Sequence, residues 1–460
     1  MLDGFPMVPL CLDRRLWSTC AGILAGFLGL LSLKAGSWTS VGPHRIQALQ
    51  VPAGGPSGFQ LLPPDNTGLD FTNLVPESRY WTNQLLLDGG GVTAADVDGD
   101  GRIDLFFTGQ TGLSSLWRNL GDWRFTNITT EAFGPDSALA TLDGLGCAFA
   151  DLNGDSAPDL VVNSHGQGTL VYFNDGQGHF KPYPTRLNPG HGGYSVAIAD
   201  VDGDGWLDIY ICNYRVRALM DMPNARANLK IVNGRKEVAS VDGRPTTEPD
   251  LTNRFVVNAR GGVDEVGEPD VLYRNLGGTH FVEVPWTGGA FLDEDGHPLT
   301  SPPFDWGLSA MFHDLNGDGR SELYVCNDFQ SPDRLWINES QPNRVQFRAV
   351  RRNALRHTSF FSMGVDFADV NRDGFDDFLV LDMMSRDHVQ RMTQLSPPPP
   401  EGLDPTDPRT VGQYPVNTLQ MGRGMEPLPK SPPTPTCRRP NGHGRPSFSM
   451  LIWMGGRTCW

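Results

Sequence analysis

One nine-residue pattern occurs five times in this chain and restricts it to a repeat architecture. Asp96-Val97-Asp98-Gly99-Asp100-Gly101-Arg102-Ile103-Asp104 returns as Asp151-Leu152-Asn153-Gly154-Asp155-Ser156-Ala157-Pro158-Asp159, and again from Asp200 to Asp208, Asp314 to Glu322 and Asp369 to Asp377. The starts lie 55, 49, 114 and 55 residues apart. Each copy follows a short apolar approach, such as the one from Gly146 to Ala150. Each precedes a β-branched or aromatic run: Leu105-Phe106-Phe107, Leu160-Val161-Val162, Ile209-Tyr210-Ile211, Leu323-Tyr324-Val325 and Phe378-Leu379-Val380. Both flanks read as strands.

A second signal trails the first. Trp117-Arg118-Asn119-Leu120-Gly121 with Phe125 is matched by Tyr172-Phe173-Asn174-Asp175-Gly176 with Phe180, by Tyr273-Arg274-Asn275-Leu276-Gly277 with Phe281, and by Trp336-Ile337-Asn338 with Phe347. Asn119 and Asn174 each lie 23 residues after the first Asp of their loop and Asn338 lies 24 after, whereas Asn275 lies 75 after Asp200. The third unit therefore carries an insertion at about 213–270, which accounts for the 114-residue gap without a lost repeat. One unit is strand, acidic loop, strand, turn, strand, with room for a fourth strand. Five such units of about 50 residues predict an all-β fold, a β-propeller of four-stranded blades.

Carboxylates at positions 1, 3, 5 and 9 of one loop repel each other unless a cation neutralises them. Hard oxygen ligands in this number select Ca²⁺, which takes six to eight of them. The expected ligands are Asp96, Asp98, Asp100 and Asp104; Asp151, Asn153, Asp155 and Asp159; Asp200, Asp202, Asp204 and Asp208; Asp314, Asn316, Asp318 and Glu322; and Asp369, Asn371, Asp373 and Asp377. Position 7 would add its backbone carbonyl, and Gly at position 6 allows the sharp turn. An EF-hand needs a bidentate Glu at position 12, where this chain has Phe107, Val162, Ile211, Val325 and Val380. That reading fails. About five Ca²⁺ sites are expected. The second, with Ser156 in place of Gly, and the fourth, with the longer Glu322, should be weaker, and Arg372 opposes the ion in the fifth.

Asp-x-Asp-x-Asp-Gly-x-x-Asp between strands resembles the FG-GAP/VCBS repeats of integrin α-chain propellers and bacterial surface proteins. The finer pattern is similar to the bacterial ASPIC/UnbV-associated, cartilage acidic protein-like family. It is carried by Leu272 to Gly277, Trp306 to Gly319, Asn327-Asp328-Phe329 and Ser362 to Asp369. The likeness spans roughly 60–395, and no C-terminal ASPIC/UnbV domain is recognisable. It implies an exported, calcium-stabilised propeller for adhesion or ligand binding, with no agreed enzymatic activity.

The net charge of −16 argues against nucleic acid or anionic membrane surfaces as partners, and 17 of the 53 acidic residues occupy positions 1, 3, 5 and 9 of the loops. Gly (54) and Pro (37) favour turns over long helices. Of seven cysteines, only Cys147, Cys212 and Cys326 fall in the body. With no C-x-x-C spacing they read as apolar filler, although Cys212 and Cys326 hold matching places where a bridge is conceivable.

Arg14 and Arg15 precede the uncharged run 16–33, so 1–37 reads as a signal peptide or signal anchor, with 38–60 as linker and 61–395 as the propeller. From 396 to 460 a Pro-rich, disordered tail is expected, since 14 of the 37 prolines lie between 397 and 446. Read one nucleotide earlier, Met450 to Trp460 allows D-V-D-L-D-G-W-E-D-L-L, a sixth acidic loop, and Gly424 to Lys430 allows G-D-G-T-F-A-E. The tail is therefore expected to be out of frame after about 420.

The expected function is a non-catalytic binding or adhesion module for protein or polysaccharide at the cell envelope, in periplasm, cell surface or extracellular space. Membrane contact is expected only through an uncleaved run 16–33. The insertion, with Arg215, Arg217, Arg226, Lys230, Arg235 and Lys236, is the candidate for specificity. The alternative is a propeller enzyme acting on polysaccharide or a small substrate. Against it, no H-E-x-x-H, G-x-S-x-G or P-loop pattern occurs, and His165, His179, His191, His280, His313 and His357 are scattered.

Overall fold

The structure, a computed structural model, describes residues 39–41, 44–46, 59–390 (apart from 223, 259, 260, 330, 352, 353, 356, 386 and 388) and 412–423. The expected signal segment 1–37 and the shifted-frame stretch from 424 onward lie outside the described residues, as do Cys11, Cys20, Cys437 and Cys459. Two units divide the chain, 1–62 and 63–460. In the first, β1 (Thr39–Val41) and β2 (His44–Ile46) form an antiparallel hairpin.

The second unit holds the five blades. Blade 1 is β3 (Val92–Ala95), β4 (Asp104–Phe107), β5 (Ser115–Gly121) and β6 (Arg124–Asn127). Blade 2 is β7 (Gly144–Ala150), β8 (Asp159–Ser164), β9 (Leu170–Asn174) and β10 (Phe180–Pro182). Blade 3 opens with β11 (Gly193–Ala199) and β12 (Asp208–Asn213) and is then interrupted by the insertion. The insertion folds as β13 (Ala227–Val232), β14 (Arg235–Val241), β15 (Arg244–Pro245), β16 (Phe255–Val257) and β17 (Val263–Glu265), after which β18 (Val271–Asn275) and β19 (Phe281–Val284) complete the blade. In blade 4, β20 (Phe291–Leu292) adds a parallel edge to β24 (Phe347–Ala349), outside β21 (Gly307–His313), β22 (Glu322–Asn327) and β23 (Arg334–Asn338). Within blades 1 to 4 every other neighbouring strand pair is antiparallel.

Blade 5 departs from expectation. After β25 (Thr358–Ser359), β26 (Ser362–Ala368) and β27 (Asp377–Asp382), the third strand is supplied by residues placed beyond the propeller in the sequence reading. β28 (Gln413–Tyr414) runs parallel to β25, and β29 (Thr418–Gln420) pairs antiparallel with β27. The expected tail from 396 is thus corrected at 412–423, where backbone pairing with β25 and β27 and the buried Thr418 complete the blade.

The innermost strands β3, β7, β11, β21 and β26 pack in succession. The second strands of blades 2, 3 and 4 are buried on both faces and split their side chains by the two-residue period. Leu160 and Val162 join the cluster with blade 1 while Val161 joins the one with blade 3. Ile209 and Ile211 face blade 2, while Tyr210 and Cys212 face blade 4. Leu323 and Val325 face blade 3, and Tyr324 and Cys326 face blade 5. Four clusters therefore weld five blades. Cys147, Cys212 and Cys326 are free thiols, so the conceivable bridge is not formed.

This order of strands sorts the loops by end. The acidic loops join first to second strands, and the tight turns after Asn119, Asn174, Asn275 and Asn338 join third to fourth, at the same end. The insertion and the links between blades lie at the opposite end, where β27 ends and β28 begins. Among the described residues no helix is long and apolar enough to cross a membrane.

Candidate metal centres

The five loops repeat one hydrogen-bonding scheme. The carboxylate at position 1 accepts the N–H groups of positions 5 and 6: Asp96 from Asp100 (3.1 Å) and Gly101 (2.8 Å), Asp151 from Asp155 (3.1 Å) and Ser156 (2.9 Å), Asp200 from Asp204 (3.1 Å) and Gly205 (2.8 Å), Asp314 from Asp318 (3.1 Å) and Gly319 (2.9 Å), Asp369 from Asp373 (3.0 Å) and Gly374 (2.9 Å). This folds the loop around its first side chain. Position 5 accepts the N–H of position 7 in every copy, from Arg102, Ala157, Trp206, Arg320 and Phe375.

Position 9 is a staple between strands. One oxygen accepts the N–H of position 2: Asp104 from Val97 (3.1 Å), Asp159 from Leu152 (2.9 Å), Asp208 from Val201 (3.0 Å), Glu322 from Leu315 (2.8 Å) and Asp377 from Val370 (3.1 Å). The other oxygen accepts the N–H that ends the third strand: Asn119 for Asp104 (2.7 Å), Asn174 for Asp159 (2.9 Å), Asn275 for Asp208 (2.8 Å) and Gly422 for Asp377 (2.8 Å). Glu322 reaches the same partners with its longer chain and donors at both oxygens. Burial drives Asp104 up despite its donors, and likewise Asp159 to about 6 and Asp208 and Glu322 to about 7. A nearby divalent cation would reverse that direction.

The structure brings together only part of each expected ligand set. In loop 1, oxygens of Asp96, Asp98 and Asp104 lie within 4.8 Å of one another, and in loop 3 those of Asp200, Asp202 and Asp208 do so. Position 5 stands outside both groups, with Asp100 held by Arg102 and Asp204 by Arg274 at 2.8 Å. Loops 2, 4 and 5 have an asparagine at position 3, so no third carboxylate converges there. Its amide oxygen accepts the N–H of position 5 instead, at 3.0 Å (Asn153), 2.9 Å (Asn316) and 2.8 Å (Asn371).

Loops 1 and 3 fit a hard cation on a specific ground. Asp98 Oδ1 and both oxygens of Asp202 are buried without a hydrogen-bond donor. Arg274 Nε approaches Asp202 to 2.6 Å, but not in hydrogen-bond alignment. Buried, undonated carboxylate oxygens beside two further carboxylates are costly unless a cation completes them, and an all-oxygen donor set suits Ca²⁺.

Three features escaped the sequence reading. Position 4 is left-handed as well as position 6: Gly99, Gly154, Gly203 and Gly317 have φ of 70–76°, and Arg372 takes 62°. Recurring glycine at position 4 was the available signal. The side chains of the third-strand asparagines clamp the preceding blade. Asn174 Nδ2 donates to Val97 O (2.8 Å), Asn275 to Leu152 O (2.8 Å) and Asn338 to Val201 O (2.9 Å), while each also donates to a carbonyl of its own loop. Finally, Asp270 and Asp333 accept the N–H groups of Asn213 and Asn327 (2.7 and 2.9 Å) and the hydroxyls of Tyr210 and Tyr324 (both 2.8 Å). The repeated Pro269-Asp270 and Pro332-Asp333 pairs announced them.

The basic insertion is at the end away from the ion loops. Arg215 is a buried structural residue, bonded to Val266 O (2.6 Å) and 3.7 Å from Glu265 and Glu268. Lys230 lies 3.9 Å from Glu237, while Arg217, Arg226, Arg235 and Lys236 are exposed. His313 stacks on Phe367 and bonds Asp376 at 2.6 Å, a packing role.

Residues 96–162, 151–211 and 314–380 match the FG-GAP-like repeat family, each match beginning on the first Asp of a loop. The chain is an all-β protein carrying FG-GAP-like repeats as propeller blades. It is similar to cartilage acidic protein 1 of Mus musculus, 26% identical over 306 residues that cover 61% of this chain and 46% of that protein. The Homo sapiens protein gives 26% over 306 residues, 61% and 45%. This chain thus spans about half the length of the curated relatives it matches. Solved structures align more loosely. A lectin of Agrocybe aegerita recognising non-reducing terminal N-acetylglucosamine gives a TM-score of 0.29 at 19% identity, over 63% of this chain and 73% of that one. A GH43_1 enzyme from Xanthomonas citri complexed with xylose gives 0.31 at 11%, over 73% and 86%. At such scores neither carries an argument about binding or chemistry.

Proposed function

We propose that this chain is an exported, calcium-stabilised propeller acting as a non-catalytic binding or adhesion module for protein or polysaccharide at the cell envelope. The observation that carries the reading is the set of undonated oxygens on Asp98 and Asp202, each converging with two more carboxylates. Ca²⁺ held by positions 1, 3 and 9 would tie the loop to the start of the second strand, and through the position-9 staple to the third. The ion end then serves as the rigid base. The opposite end, with the insertion, is the face offered to a partner. A chain with a net charge of −16 does not suit nucleic acid.

A ligand that binds only the folded state stabilises it by about 2.7 kcal/mol per site at a hundredfold excess over Kd. Millimolar Ca²⁺ should therefore raise the melting temperature well above that in EDTA, with Mg²⁺ a poorer substitute. Identical melts in EDTA and Ca²⁺ would falsify the calcium half. Glycan and protein arrays probe the other half: turnover of a polysaccharide, rather than retention, would replace the binding reading with an enzymatic one.

A further inference from the structure

Position 3 of the loops varies together with a residue on a different strand. Loops 1 and 3 have Asp98 and Asp202 there, and the residue before the strand-ending asparagine is Arg118 or Arg274. Loops 2, 4 and 5 have Asn153, Asn316 and Asn371, and the corresponding residue is Phe173, Ile337 or Met421. The pairing holds in all five blades.

The contacts explain it. Arg118 Nε lies 2.8 Å from Asp98 Oδ2. Arg274 lies 2.6 Å from Asp202 Oδ2 and 2.8 Å from Asp204 Oδ2, and also donates to Asn343 Oδ1 of blade 4 at 2.9 Å. In the other loops the asparagine amide brings its own N–H to a neighbouring carboxylate: Asn153 to Asp155, Asn316 to Glu322 and Asn371 to Asp373, each at 2.9 Å. A carboxylate at position 3 has no N–H to give, and it adds a charge to a loop already holding three. Where the loop gains that charge, the third strand supplies a guanidinium. Where it does not, the strand supplies an apolar side chain.

We propose that Arg118 and Arg274 are charge-setting residues for loops 1 and 3. Each holds the position-3 aspartate in place when no cation is bound and offsets its charge, so that these loops bind a divalent cation about as tightly as the asparagine loops. The cation clause rests on the calcium reading above; the metal-free clause does not. An unpaired carboxylate beside two others in a half-buried loop is destabilising. The same unpaired charge strengthens attraction for a cation.

The test compares Arg274→Met, which copies blade 5, with the double variant Arg274→Met/Asp202→Asn, which restores the pairing of blades 2, 4 and 5. In EDTA the single variant should melt several degrees below the unaltered chain, and the double variant should recover most of that loss although it also lacks the Asn343 contact. In Ca²⁺ titration calorimetry the single variant should gain about tenfold in affinity at one site, and the double variant should return to the original range. An unchanged EDTA melt, a double variant no better than the single one, or weaker Ca²⁺ binding by the single variant would overturn the proposal. Should Arg274→Met fail to fold, a folded double variant supports it and an unfolded one sinks it. If the unaltered chain takes up no Ca²⁺, the calcium reading falls, and the EDTA melts alone still decide the metal-free clause.

Discussion

At position 6 of the second loop, Ser156 takes φ 72°, a conformation its four counterparts reach as glycines with φ of 84–92°. No atom lies within 4 Å of a Cβ built at Gly101, Gly205, Gly319 or Gly374, so the demand is on backbone rotation and not on space. A left-handed L-residue costs about 1–2 kcal/mol, partly offset by the greater freedom glycine has when unfolded. Ser156→Gly should therefore raise stability by roughly 0.5–1 kcal/mol, read as a shift in urea midpoint at unchanged slope. A loss of stability would show that the serine hydroxyl has a role the hydrogen bonds do not reveal. Arg372 presents the same strain at position 4 of the fifth loop. There, substitution by glycine also removes a charge, so its effect mixes two causes, and Ser156 is the cleaner test.

The blade is the next scale, and its joints are the asparagine clamps. Asn338 is fully buried and holds Val201 O of blade 3 and Ser321 O of its own blade, at 2.9 and 3.0 Å. Replacing it with alanine leaves two carbonyls without their donor, at about 1–3 kcal/mol each before water enters. Asn338→Ala should cost roughly 2–4 kcal/mol, measured by denaturant unfolding. Asn119→Ala, whose amide bonds Ile103 O and the Gly121 N–H within its own blade and clamps no other blade, should cost less. Equal losses would mean that the clamp between blades adds nothing. Three of these asparagines were visible in the sequence as a spacing of 23 or 24 residues from their loop, and Asn275 by its matching flanks, but spacing gives no partner across blades. The loops, second strands and third strands of blades 1 to 4 were legible because alternating apolar residues and fixed spacing are local signals. The third strand of blade 5 was hidden for two reasons. A long connection separates it from its loop, and Gly422 stands where four blades have asparagine, with no aromatic two residues before it. What brings β29 back is its backbone: the Gly422 N–H still meets Asp377, and Asn417 Oδ1 accepts from Asp382 N at 2.8 Å, as Asp270 and Asp333 accept in blades 3 and 4. The sorting of the acidic loops to one end and the insertion to the other was likewise invisible to spacing, since it follows from the order of strands within the sheets.

For the molecule as a whole, the end opposite the acidic loops carries a second set of carboxyls with no ion to serve. Asp88 accepts the Tyr194 hydroxyl at 2.7 Å and Asp328 that of Tyr214 at 2.8 Å, among Trp306 and Phe329. Burial pushes Asp88 up to about 6 and Asp270, Asp328 and Asp333 up to about 7, outweighing the tyrosine and backbone donors. The folded state thus binds these protons more tightly than the unfolded chain, whose carboxyls titrate near the ordinary value of 3.8. Stability is then fully present below the unfolded pKa and is lost as pH rises towards the folded one. Asp159, Asp208 and Glu322 in the loops push the same way. So does His191, raised by its bond to Glu268, whereas His165, lowered by burial, favours higher pH. In EDTA the melting temperature should consequently fall between about pH 4 and about pH 7. Ca²⁺ should remove the share of that fall belonging to the loops, because a bound cation replaces the proton there, and should leave the share belonging to the far end. Asp328→Asn, which keeps an acceptor for Tyr214 but cannot ionise, should flatten the residual slope seen in Ca²⁺. A melting temperature that rises over this range in EDTA would mean that the buried carboxyls ionise at no cost. Asp88, Asp270, Asp328 and Asp333 would then hold their protons no more tightly than the unfolded chain does.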